Sequence, residues 1–114
     1  MNPANEILSK LDIQRGMSEV RAIQQTRDYL DSHSNPLKAA NHIVQKFNIP
    51  PIDNVKKAYV FAMTAVEQSL KSENPNIQAI MDRANARIDR LTDIIGSSAF
   101  VVHKEDNPNK AAPG

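Results

Sequence analysis

Asp53 to Ile95 reads DNVKKAYVFAMTAVEQSLKSENPNIQAIMDRANARIDRLTDII, and this stretch decides the fold. In its first half Val55, Ala58, Tyr59, Ala62, Met63, Val66 and Leu70 recur every three or four residues, the period of an α-helix. Asp53 stands where an N-cap is needed, and the pattern runs to Ser72. In the second half, from Pro75, the residues Ile77, Ile80, Met81, Ala84, Ile88, Leu91 and Ile95 form a narrower seam, close to a heptad. Gly96 follows as a natural residue beyond a helix end. Only Glu73 and Asn74 join the two halves, and so short a connection predicts an antiparallel helical hairpin over 53–95.

The first helix of that hairpin carries more apolar surface than one partner can cover. Val60 and Phe61 fall outside its stripe, so Ala58 to Met63 is apolar without interruption. A helix that is apolar most of the way round is either central or covered by another subunit. Self-association is the expectation, with Val60, Phe61 and Leu70 as the candidate oligomer interface.

Upstream, Leu37, Ala40, Ile43, Val44 and Phe47 predict a short amphipathic helix over 36–48, ended by Ile49-Pro50-Pro51. Residues 3–32 hold two apolar sets on different faces, one of Ile7, Leu8 and Leu11, the other of Ile13, Met17, Val20, Ile23 and Leu30. Gly16 lies between them and predicts a break, hence an N-terminal helix or helix pair. Asn-Pro occurs at Asn2-Pro3, Asn35-Pro36, Asn74-Pro75 and Asn107-Pro108. Asn suits an N-cap and Pro the first helical position, so Asn35 and Asn74 read as helix starts and Asn107 as part of a tail.

The expected fold is all-α: a bundle of four to five helices in a single helical domain over 1–102, with a C-terminal helical hairpin and a flexible C-terminal arm. Residues 103–114 are polar and turn-rich and read as a disordered tail. Before them Ala99-Phe100-Val101-Val102 is a short apolar run. It either docks on a partner, with Phe100 and Val101 as contacts, or folds back onto its own bundle.

A chain of 114 residues fits one domain. The absence of cysteine excludes disulfides, thiolate metal sites and cysteine nucleophiles. Fourteen Lys and Arg against thirteen Asp and Glu argue against a globally basic nucleic-acid binder. No apolar run approaches the ~20 residues of a membrane span, and MNPANEILSKLDIQRG has no signal-peptide core. A cytoplasmic placement away from membranes is the expectation.

Arg83, Arg87 and Arg90 flank the seam at i, i+4 and i+7, with Asp82, Asp89 and Asp93 on the opposite side. They are candidate contacts for an acidic partner or for phosphates. The competing reading is that such arginines cover apolar surface and make weak surface pairs. Asn41 to Lys57, NHIVQKFNIPPIDNVKK, resembles the helix-turn-helix family of DNA-binding motifs. That resemblance implies Ile43 and Phe47 as core, Asn48-Ile49 as the turn, and Asn54, Lys56 and Lys57 facing a major groove. The pattern departs from the family where Val44 replaces a small residue, and Pro50-Pro51 lengthen the turn by about one residue. Asp53 would also face DNA unless it acts as a cap.

His33, His42 and His103 share no helical face and no HExxH context. No metal or cofactor is expected. There is no Gly-rich phosphate loop, no nucleophile elbow and no pair of carboxylates in an apolar setting, so catalysis is not expected. The sequence points to a non-enzymatic protein–protein interaction module, adaptor or assembly factor acting by self-association and by binding another protein. The alternative is a small DNA-binding protein with the later hairpin as its oligomerisation element.

Overall fold

The computed structural model describes residues 2–95, side chains as far as Thr92. The expected arm at 97–102 and tail at 103–114 lie outside the described residues. The described residues form five helices and no strand: α1 (Pro3–Lys10), α2 (Glu19–Asp31), α3 (Pro36–Gln45), α4 (Val55–Lys71) and α5 (Ile77–Ile95). The all-α bundle is therefore as expected.

Asparagine starts four of the five helices. The Asn2 side chain accepts from the Asn5 N–H at 2.8 Å, and the Asn35 side chain from that of Lys38 at 3.1 Å. Asn54 accepts from Lys56 and Lys57 at 3.0 and 3.1 Å, and Asn76 from Ala79 at 2.9 Å. Each bond satisfies an N–H that the helix itself leaves without a partner. The caps of α4 and α5 thus differ from the sequence expectation: Asn54 takes the place assigned to Asp53, and Asn76 that assigned to Asn74. Ser18 caps α2 through the Arg21 N–H at 3.2 Å.

The N-terminal segment is a helix pair, broken earlier than Gly16. Asp12 adopts φ 60°, and the chain closes α1 with Ile13 N–H on Leu8 C=O at 2.8 Å and Asp12 N–H on Ser9 C=O at 3.1 Å. This is a Schellman ending, with Leu8 and Ile13 both buried across it. The same device ends α3. Asn48 takes φ 62°, its N–H bonds to Gln45 C=O, and the Ile49 N–H reaches Val44 C=O at 3.3 Å. Asp and Asn tolerate this left-handed conformation better than other side chains. Beyond it the Asn41 amide pairs with Ile52 twice, donating to its C=O and accepting from its N–H, both at 2.8 Å. The Pro50-Pro51 turn is thereby fixed against α3.

α4 is the central helix and packs against α1, α2, α3 and α5. Ala58, Phe61, Ala62, Ala65 and Val66 are all buried on it. Arg15 donates to the Ser69 C=O and to the Asn5 side chain, tying the α1–α2 loop to the far end of α4. At the near end the Tyr59 hydroxyl donates to Asp31 at 2.6 Å. Burial, and then Asp31 itself, push that hydroxyl up to about 12.

α5 turns back along α4 in the expected hairpin, with Arg87 bonding Thr64 at 3.1 Å and Ile80, Ala84 and Ile88 buried on its inner face. Ile88 is 7% exposed. Ile88→Ala is expected to cost roughly 2–5 kcal/mol in denaturant unfolding. A change below about 0.5 kcal/mol would instead mark a surface position.

Candidate functional site

α2 and α5 both run antiparallel to α4, but they hardly touch each other. Pairs at Glu19–Lys71 and Asp31–Tyr59 link opposite ends of α2 and α4. Because the two flanking helices stay apart, a groove of about 310 Å³ opens between them over α4. Val60, Met63 and Thr64 of α4 floor it. Ile23 of α2 forms one wall, and Arg87, Arg90 and Leu91 of α5 form the other. Leu91 is 37% exposed, and Val20, one turn before Ile23, is 81% exposed. The apolar stripe of α2 therefore continues into solvent beyond the wall. Among the described residues another depression, of about 430 Å³, is lined by the polar side chains Lys10, His42, Gln45 and Lys46.

A charged cluster adjoins the groove at Arg87. Glu67 lies on α4 two turns beyond Val60, with its side chain only 5% exposed. Arg87 Nη2 donates to its Oε2 at 3.0 Å and stands 2.7 Å from its Oε1, without an aligned N–H for the second oxygen. The carboxyl of Glu19, in the first turn of α2, is its hydrogen-bonding neighbour. Burial is the main reason the Glu67 carboxyl is pushed up, with Glu19 adding to it and Arg87 opposing. Glu19 is pulled down, first by the hydrogen bond from Glu67 and then by Lys71, Arg87 and Arg83.

Sequence reading did not bring Glu19 and Glu67 together; the fold does, because α2 carries the exposed Glu19 to the buried Glu67 of α4. The pair does not make an evident acid–base catalyst. Glu67 Oε1 is sealed from solvent, and a general acid or base must reach the proton it transfers. The cluster instead cross-links α2, α4 and α5 while presenting Arg87 at the groove.

The residues singled out by sequence separate clearly. Arg87 and Arg90 meet at the groove, while Arg83 is exposed farther along α5. Among the described residues neither Arg83 nor Arg90 forms an ion pair. Val60 is half-buried in the groove floor, and Leu70 is half-buried against the core. Phe61 is 7% exposed, because α4 is surrounded within its own chain. The unpaired-face argument for placing Phe61 in an oligomer interface is therefore lost. Phe100 and Val101 lie outside the described residues.

The helix-turn-helix frame is not reproduced in its spacing. The connection between α3 and α4 spans 46–54, against a turn of roughly three to four residues in that motif. Asn54 is buried and its side-chain oxygen caps α4; Lys56 is exposed and Lys57 half-buried. His33 bonds the Tyr29 C=O through Nδ1 at 2.7 Å and packs against the Tyr29 ring. Among the described residues no group of three His, Asp or Glu could hold a metal ion, and no helix is long and apolar enough to cross a membrane.

No protein-family model matches this chain, and no curated protein and no solved structure matches it either.

Proposed function

We propose that the chain is a non-enzymatic interaction module whose groove between α2 and α5 binds a short amphipathic, acidic segment of a partner protein. The groove itself supports this reading. Its floor of Val60 and Met63 is apolar, Leu91 is partly exposed at its rim, and Arg90 stands beside it without an ion-pair partner among the described residues. An amphipathic helix laid in such a groove places apolar anchors at i, i+3/i+4 and i+7 on the floor. Glu or Asp on its flank then meets Arg90, and Arg83 beyond it.

The test is fluorescence-anisotropy titration of the full chain with a labelled peptide carrying Leu at helical spacing and Glu between. Binding is expected. Leu91→Asp removes an apolar anchor and is expected to weaken it about 10- to 100-fold, the range of a moderate hot spot. Arg90→Glu should weaken it too and reverse its salt dependence. Preference for the charge-inverted Lys peptide, indifference to both substitutions, or binding of duplex DNA in place of the peptide overturns the proposal. Light scattering on the same samples shows whether a second copy occupies the groove instead.

A further inference from the structure

We propose that the groove between α2 and α5 is occupied, in the absence of a partner, by the chain's own Ala99-Phe100-Val101-Val102 segment. This rests on the groove described above and adds to the partner-binding reading an internal competitor. The first support is where the described chain ends. Ile95 closes α5 four residues after Leu91, which lines the groove, a rise of about 6 Å along the helix. Five further residues lead to Phe100 and span up to ~17 Å, ample for the return. Gly96, directly after the helix, is the residue type that best permits such a reversal.

The second support is chemistry in the right order. The four residues 99–102 are uninterrupted and apolar, and the groove floor at Val60 and Met63 is apolar. Running back antiparallel to α5, the chain carries Glu105 and Asp106 away from Leu91, past the Arg87–Glu67 pair, toward Arg83. From Leu91 to Arg83 is about 12 Å along α5, within the ~17 Å that five extended residues cover beyond Phe100. The acids of the segment thus reach the arginine end while its apolar residues sit on the floor.

The third support decides between this occupant and a second copy. A tethered segment on a short linker acts at an effective concentration of order mM. A second chain at micromolar concentration offers the same residues roughly a thousandfold more dilute. The internal segment therefore takes the groove first, and a partner must displace it.

Isotope-filtered NMR on the full chain tests this. Contacts are expected between the Phe100 ring and the methyl groups of Ile23 on α2 and Val60 on α4, unchanged on dilution. Phe100→Asp should abolish them and shift those methyl resonances while the rest of the spectrum stays in place. The inference is overturned if no contact reaches Ile23, or if contacts arise only between differently labelled chains in a mixed sample. The acidic peptide then separates the two proposals. With the internal competitor removed, Phe100→Asp is expected to bind it at least about 10-fold more tightly than the parent. Phe100 contacts without peptide binding to either protein leave the internal docking standing and end the partner proposal. Peptide binding without Phe100 contacts does the reverse.

Discussion

Phe61→Lys is expected to destabilise the protein by roughly 3–5 kcal/mol, the cost of removing a buried phenyl ring, and not to release a well-folded monomer. Phe61 is 7% exposed on the central helix. The lysine stem recovers part of the lost packing, but its ammonium group must find water from a site with little access to it. Against a total stability of about 5–15 kcal/mol, such a loss leaves a substantial unfolded fraction on mild heating. Urea unfolding followed by circular dichroism gives the answer. A variant as stable and as helical as the parent would place Phe61 on the surface and restore its claim to an interface.

Arg87→Ala has the next largest expected effect. Breaking a buried ion pair costs about 3–5 kcal/mol. The Arg87 side chain is 36% exposed while that of Glu67 is 5%, so screening reduces the figure to about 2–3 kcal/mol at pH 7. The loss should depend on pH in a definite sense. The folded carboxyl of Glu67 is pushed above its ordinary value, so its contribution is favourable at low pH and lost as pH rises through the raised value. Without Arg87 it rises further. The cost of Arg87→Ala is therefore greatest near neutrality and shrinks as pH falls toward the ordinary glutamate range. Glu19 acts in the opposite sense, its pulled-down carboxyl losing its contribution as pH falls through the lowered value. Adding Glu67→Gln should restore most of the stability at pH 7 and remove this pH dependence, read from a double-mutant cycle. Equal losses at pH 5 and pH 7 would exclude an ionised Glu67 as the cause.

The hairpin and the short α3 helix were legible because their apolar residues repeat with one period over several turns. The ends were less so. Asn74 and Asn76 are the same residue two positions apart, and Asp53 and Asn54 cap equally well by type. Which one caps depends on where tertiary packing starts the helix. Gly16 is the obvious breaker, yet the left-handed position fell on Asp12, where burial of Leu8, Leu11 and Ile13 closes α1. Phe61 looked surplus because a stripe counted against one partner cannot show four neighbours around α4. Glu67 carried a faint signal. It stands seven residues after Val60, in line with the groove floor, but its burial needs α2 and α5 from elsewhere in the chain. Arg87 and Arg90 were legible as one flank, whereas the gap between α2 and α5 that makes them a wall was not.

The asparagines of this fold also age unequally. Deamidation exchanges the side-chain NH₂ for oxygen. At Asn2, Asn35 and Asn76 the cap bonds use only the oxygen, and a new negative charge at a helix N-terminus is favourable. Those three positions keep their caps when they become aspartate. Asn41 uses both ends of its amide, and the bond to the Ile52 C=O needs the NH₂. There the same conversion sets a carboxylate oxygen against a carbonyl, and the Pro50-Pro51 turn loses one of its two ties. Chemical damage spread over many asparagines is thus felt most at the corner between α3 and α4.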